Sequence, residues 1–413
     1  MEKRRQKDKK TSNIQILFLI TFAGIMAGIY RNGIMTLFPF LQSEFSLTRT
    51  QVGLYSTFLY TSSTIVAILS GRIADYWGVK KSMIMGLVFM GLFIIFHAFA
   101  SGFIIILIFA TLTGLGLSMI LPTSSKGIAD NFGSDNQSTV MGIMTLGFPL
   151  GGVIGAVLIP WIGKNLGWRI DVIIMGSLFF MVAILFKILY FDGHEDKKNK
   201  IKDDQKDNTI TEDIILLFNN KYLIVLCILG FYFGVASGIV VTHFTLFLYM
   251  DYGFKEVMAG VGFMFLQMGS VIGRPAWGLL NDRVFNNIKR NGFLYLGISA
   301  SIVFIIFGFM NNFNSSLLII FICAFLLGAT GRGWQGLYFS AVSDQLDEGK
   351  TGIGIGLSLV FVRIGIIIGP PIFGYIADRS GSYSYSWILL SIVTFITIIT
   401  IYFTLGKFKD QVS

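Results

Sequence analysis

Gly71-Arg72-Ile73-Ala74-Asp75-Tyr76-Trp77-Gly78-Val79-Lys80-Lys81 stands between one apolar run at 51–73 and another at 82–100. A glycine at the end of the first run allows a neighbouring helix to approach closely. Asp75 offers acceptors to helix N-termini or to a cation, and the paired lysines mark a charged turn. Each flanking run is close to the roughly 20 mostly apolar residues that cross a bilayer. The stretch therefore reads as a tight hairpin joining two membrane spans.

Outward from it the same alternation fills the chain. Of 413 residues, 54% are hydrophobic and only 13% charged, against roughly 25% charged in soluble domains. In hydrocarbon a helix satisfies its own backbone, so the fold class is an all-α membrane protein. Apolar runs and breaker clusters predict twelve transmembrane helices, at 14–41, 51–73, 82–100, 103–128, 139–162, 168–190, 222–250, 256–280, 292–310, 316–343, 352–377 and 384–406. Dense Lys, Asp and Glu divide the chain in the middle. The predicted organisation is a basic N-terminus (1–13), a six-helix bundle (14–190), a charged linker (191–221), a second six-helix bundle (222–406) and a short tail (407–413).

Basic residues collect at Lys3–Lys10, at Arg72, Lys80 and Lys81, in the linker, at Arg283, Lys289 and Arg290, at Lys350 and in the tail. The alternate loops hold only Arg49, Lys164, Arg169, Lys255 and Arg379. The positive-inside rule then places both termini in the cytoplasm of a multi-pass protein of the plasma (bacterial inner) membrane. This distribution accounts for the net charge of +9 without a nucleic-acid partner. The run from Ile14 to Leu41 is too long for a signal core and reads as a retained first span. Cys227 and Cys323 fall inside apolar runs, with neither disulfide nor metal spacing. Neither a phosphate-binding loop, a nucleophile elbow nor a Cys/His metal constellation occurs, so no enzyme, cofactor or metal site is expected.

The halves match one another. A shift of 207 residues superimposes Glu44 on Asp251, Gly71 on Gly278 and Asp75 on Asp282. A shift of 214 superimposes Gly114 on Gly328, Asp130 on Asp344, Gly142 on Gly356, Gly151 on Gly365 and Gly155 on Gly369. Duplication of this kind marks carriers that rock one half against the other around a central site, so the two bundles are expected to be pseudo-symmetric.

The Gly71–Lys81 stretch resembles the loop between the second and third helices of the major facilitator superfamily. Gly278-Leu279-Leu280-Asn281-Asp282-Arg283 resembles a weaker copy, lacking a counterpart of Gly78. Tyr76 replaces the family's basic residue after the aspartate. The resemblance covers the whole chain and implies a conformational latch formed by Gly71, Asp75, Gly78, Lys80, Lys81, Gly278, Asp282 and Arg283. Gly147–Gly155, Pro160-Trp161, Gly167-Trp168-Arg169 and Gly273-Arg274-Pro275-Ala276-Trp277-Gly278 are similar to organic-anion members, the last of these stretches to the oxalate/formate antiporter and monocarboxylate groups. There an arginine at the place of Arg274 contacts a substrate carboxylate, and a second cation stands where Arg363 stands. Gly333-Trp334-Gln335-Gly336-Leu337-Tyr338 is similar to sugar-phosphate and organic-acid permeases.

Arg31, Arg274, Arg332 and Arg363 lie far from the ends of their predicted spans, about 12–25 Å deep at the helical rise. An arginine at mid-bilayer costs at least about 2.5–3.5 kcal/mol, so each is expected to face a cavity or a partner. No Asp or Glu is expected in any helix interior, and an anion would neutralise the resulting positive cavity. Two of them have a plainer reading. Arg274 can snorkel towards the near face, and Arg332, between Gly331 and Gly333, can bond freed carbonyls. Arg363 projects away from the small-residue face of Gly365 and Gly369, which is expected to pack against another helix. Lys126, near a helix end, reads as an anchor. Tyr30, Gln267, Trp334, Gln335 and Tyr338 complete the candidate binding set, with His243 as a titratable member or a plain hydrogen-bonding one. Pro149, Pro275, Pro370 and Pro371 are expected to bend their helices.

The expectation is a monomeric secondary carrier working by alternating access on a small organic anion, first a mono- or dicarboxylate. A proton or counter-anion is its coupling partner. The alternatives are a sugar-phosphate or organophosphate carrier, a proton-coupled drug exporter and a neutral-sugar carrier. The exporter reading lacks the membrane-embedded acid such exporters use.

Overall fold

The computed structural model describes residues 2–132, 134–190, 220–310, 316–346 and 351–409. Nearly all of the linker expected at 191–221, and the end of the tail, lie outside the described residues. The helices are α1 (Glu2–Gly33), α2 (Phe38–Phe45), α3 (Arg49–Phe96), α4 (Phe103–Asn131), α5 (Ser134–Leu166), α6 (Trp168–Leu189) and α7 (Lys221–Met250). They continue with α8 (Glu256–Arg283), α9 (Lys289–Phe309), α10 (Leu317–Gly331), α11 (Gln335–Ser343), α12 (Thr351–Ser380) and α13 (Tyr383–Lys409). No strand occurs among the described residues. All twelve expected spans map onto these helices. Eleven stretches of the described residues are long and apolar enough to cross a membrane.

Two spans are less regular than their hydropathy suggests, and a single glycine makes the expected hairpin between two others. The first gives way to a 3₁₀ turn at Ile34–Leu37 before α2, whose Pro39 sits in the first turn, where a missing N–H costs nothing. Gly78 has φ 79° and ψ 169°, a conformation that a β-carbon strongly disfavours. It bends α3 into two legs, which are the spans expected at 51–73 and 82–100. The span expected at 316–343 is broken: α10 ends at Gly331, Arg332 leaves the helix at φ −130° and ψ −4°, and α11 starts at Gln335. Two glycines flanking one residue give a helix little to gain there.

The described residues form two compact units, Met1–Ser46 with Phe58–Lys202, and Leu47–Thr57 with Asp203–Ser413. In the first unit α1 packs on α5 through glycines. A β-carbon on Gly28 would collide with the Phe148 carbonyl, and one on Gly151 with that of Ile25. In the second unit α7 packs on α12 the same way: Gly234 meets the Val362 carbonyl and Gly365 that of Phe231. Gly114 lies on the Leu59 carbonyl, and Gly328 on that of Leu266. Each second-unit contact is the first-unit contact displaced by 214 residues on one helix and 206 or 207 on the other. The repeat seen in sequence is therefore a repeat of backbone contacts. Glu44 and Asp251 extend it. Glu44 accepts from Trp168 Nε1 and from Arg169, at 2.6 Å to Nη2. Asp251 accepts from Ser382 Oγ at 2.7 Å and the Tyr383 N–H at 2.8 Å.

The start of α3 belongs to the second unit, where Asp378 of α12 acts as its N-cap. Asp378 accepts the Arg49 N–H at 2.9 Å, the Thr50 N–H at 2.8 Å and the Thr50 hydroxyl at 2.6 Å. Arg49 also reaches Asp251 at 3.5 Å and lies over the Tyr383 ring, 5.0 Å from its centroid. Further along α3, Thr57 donates to the Ile367 carbonyl at 2.6 Å. Pro371 frees that carbonyl, having no N–H to offer it. Asp378→Ala strips two backbone donors and a hydroxyl of their acceptor. It is expected to lower stability by about 1–2 kcal/mol, read as a lower melting temperature of the purified protein, with Asp378→Asn falling between.

Candidate functional site

In the first unit the site begins with Tyr30-Arg31-Asn32 in the last turn of α1, where the carbonyl end of the helix favours a cation. Arg31 Nε donates to the Tyr60 hydroxyl at 3.0 Å, and its guanidinium carbon lies 5.3 Å from the Tyr60 ring centroid. No carboxylate lies within ion-pairing distance of Arg31 among the described residues. A phenol and a π-face orient the guanidinium without cancelling its charge. Tyr30 is fully buried, and Asn32 donates to the Phe148 carbonyl at 3.5 Å.

In the second unit the break between α10 and α11 gathers Gln267, Arg332 and Trp334. Arg332, 9% exposed, donates from Nη1 to Oε1 of Gln267, itself 1% exposed. The break leaves carbonyls without helical partners, and side chains of other helices take them up. Ser237 Oγ donates to the Gly331 carbonyl at 3.3 Å, and Trp277 Nε1 to that of Ala329 at 3.0 Å. Trp334 donates from Nε1 to Ser237 Oγ at 2.8 Å and stacks on Phe233 at 4.9 Å. Ser237 and Trp277 thus serve the freed carbonyls of Gly331 and Ala329.

The other candidates are more dispersed. Tyr338 abuts Trp334 at 5.4 Å and donates to the Leu226 carbonyl at 3.1 Å, a packing role, and Gln335 is half-buried at the start of α11. Arg274 and Arg363 are half-buried, and Gly365 and Gly369 beside Arg363 do pack on α7. His243 has both ring nitrogens engaged, Nδ1 with the Tyr383 hydroxyl at 3.1 Å and Nε2 with the Pro370 carbonyl at 2.8 Å. It ties α7 to the Pro370-Pro371 stretch of α12.

The loop residues need two corrections. Gly71 and Gly278 do not admit a close helix, since a β-carbon on either would meet nothing within 4 Å. Of the glycines expected in the latch, Gly78 is the one whose backbone requires glycine. Asp75 pairs with Lys126 at 3.0 Å, and Lys126 also reaches Asp130 at 3.8 Å, so Lys126 is more than an anchor. In the second unit Lys289 reaches Asp344 at 3.7 Å and Asn287 at 2.8 Å. Lys80 is half-buried, while Lys81, Asp282 and Arg283 are exposed.

One buried acid goes beyond the expected site residues. Asp171, in the first turn of α6, is 1% exposed, and its Oδ2 has no hydrogen-bond partner among the described residues. The signal is that it is the one Asp or Glu between 168 and 190. Both cysteines are buried and free, and among the described residues no group of three His, Cys, Asp or Glu could hold a metal.

Known proteins share this fold. The solved structure of a bacterial homologue of the human lysosomal transporter Spinster superposes with a TM-score of 0.80 at 15% identity, covering 96% of this chain and 97% of that one. A nucleoside transporter superposes with a TM-score of 0.77 at 12% identity, covering 96% and 99%. Among sequence relatives, the hexuronate transporter of Bacillus subtilis is 24% identical, covering 93% of this chain and 91% of the relative. The probable sulfoacetate transporter of Cupriavidus necator is 23% identical, covering 91% and 90%. The 3-(3-hydroxy-phenyl)propionate transporter of Escherichia coli is 25% identical, covering 75% and 73%. The Major Facilitator Superfamily pattern matches residues 20–362. With its all-helical fold and duplicated packing, the chain is a multi-pass integral membrane protein that belongs to the Major Facilitator Superfamily, with organic-anion transporters among its relatives.

Proposed function

We propose that this chain carries a small organic anion, a mono- or dicarboxylate, across the membrane by alternating access. The observation that carries the reading is Arg31, a cation in a membrane helix held by a neutral phenol and its ring. A guanidinium kept charged at this depth repays its insertion cost when an anion sits against it. Arg332, oriented by an amide, supports the same reading from the second unit. So do the relatives whose names specify hexuronate and sulfoacetate. Arg274 and Arg363 complete the proposed set, with both termini cytoplasmic and a proton or counter-anion as coupling partner. The Asp75–Lys126 pair would form part of a latch holding one conformer.

Uptake by proteoliposomes of labelled glucuronate, succinate, glucose 6-phosphate and glucose tests this. Accumulation of a carboxylate is expected. Uptake of glucose alone would remove the anion reading, and uptake of the phosphate ester alone would transfer it to the organophosphate class.

A further inference from the structure

We infer that Arg290 holds the phosphate of an anionic phospholipid where the start of α9 meets the end of α13. This site is separate from the transport reading above and does not depend on it. α9 and α13 run side by side: Gly297 lies against Ile398, and Ser301 donates to the Ser391 carbonyl at 3.0 Å. That pairing brings Arg290 and Tyr402 together at one border of the two apolar spans. There the guanidinium carbon of Arg290 lies 5.3 Å from the Tyr402 ring centroid. Gly406 lets its Nη1 come against the last turn of α13, since a β-carbon there would stand 2.7 Å from that nitrogen. The neighbouring surface is apolar and aromatic, with Phe403 64% exposed and Tyr295, 51% exposed, stacked on Phe285 at 4.7 Å.

What the guanidinium lacks is an acid. Among the described residues no carboxylate lies within ion-pairing distance of Arg290, and its buried Nε has no hydrogen-bond partner. Lys289 beside it is committed, to Asp344 at 3.7 Å and to Asn287 and Ser340 at 2.8 Å each. The position also works against a cation, because Arg290 stands in the first turn of α9, the positive end of the helix dipole. A plain positive-inside anchor keeps its charge in water, whereas this one is half-buried and laid on a tyrosine ring. An anion at its remaining N–H groups would satisfy the guanidinium and the helix end together. At a membrane border marked by tyrosines the anion at hand is a lipid phosphodiester, which a planar guanidinium can meet with two parallel N–H groups.

The test titrates the full chain, purified in a neutral detergent, with phosphatidylglycerol, phosphatidylcholine or inorganic phosphate and follows its melting temperature. A ligand of the folded state raises that temperature with its concentration. The wild type should respond to phosphatidylglycerol at lower concentration than to phosphatidylcholine, and not to inorganic phosphate. Arg290→Gln should need about tenfold more phosphatidylglycerol for the same rise. Arg72→Gln removes an exposed charge from another loop and should stay within about twofold of the wild type. Should Arg290→Gln fail to fold, Tyr402→Leu carries the test, since it takes away the ring that orients the guanidinium, and about threefold more lipid is then expected. An Arg290→Gln or Tyr402→Leu protein that responds like the wild type overturns the site. So does an equal loss in Arg72→Gln, or an equal response to phosphatidylcholine, either of which would make the effect one of general charge or of detergent exchange. A response to inorganic phosphate as strong as that to phosphatidylglycerol overturns the lipid in favour of a free anion.

Discussion

Arg31→Gln abolishes saturable uptake at substrate concentrations near the wild-type KM, with KM raised about 100-fold or more. The magnitude follows from a charge-assisted contact in a desolvated site, where losing one partner costs about 2–5 kcal/mol. The protein should nevertheless accumulate and melt at least as well as the wild type. The substitution removes a charge whose placement in the membrane costs about 2.5–3.5 kcal/mol, and it deletes only one hydrogen bond to Tyr60. Arg31→Lys keeps the charge but loses the planar fork and its stacking on Tyr60, so its KM should fall between. Uptake kinetics and melting temperature on the same preparations read both halves. A variant that transports normally would remove Arg31 from the site, and one that fails to fold would make it structural.

The second large effect is on folding. Gly365→Ala places a methyl group against the Phe231 carbonyl and the Val235 amide of α7, where no space exists. Backbone cannot yield as a side chain can, so α7 and α12 must separate along their shared face at a cost of about 3 kcal/mol or more. Gly356→Ala, on the same helix, meets nothing within 4 Å and should be neutral or stabilising by about 0.5–1 kcal/mol through helix propensity. Size-exclusion profiles in detergent distinguish the two directly. The same contrast is expected between Gly151 and Gly142, the positions 214 residues earlier.

That pair of glycines shows why much of the fold was legible in the amino-acid sequence. Span positions follow from runs of apolar side chains, a local property. The two offsets follow from glycines, which recur because α1 on α5 and α7 on α12 both need backbone contact. The interruptions were harder to read. Hydropathy passes smoothly over Gly331-Arg332-Gly333, since backbone angles leave no mark on an apolar average. The candidate site was legible as a set of arginines but not as an arrangement. No local pattern says that Gln267 meets Arg332, that Tyr60 meets Arg31, or that His243 has both nitrogens occupied by Tyr383 and Pro370. Those are long-range pairings that depend on helix rotation and on where a helix breaks. Asp171 stands in the first turn of its helix, so in sequence it is an ordinary helix-end acid, and only its burial sets it apart.

The central claim is that the carrier selects for negative charge. Competition against labelled glucuronate in counterflow, with excess unlabelled glucuronate or glucose, tests it most directly, because the two sugars share a ring and differ by a carboxylate. The account predicts inhibition by glucuronate, none by glucose at the same concentration, and loss of that discrimination in Arg31→Gln. Equal inhibition by the two sugars in the wild-type protein would contradict it.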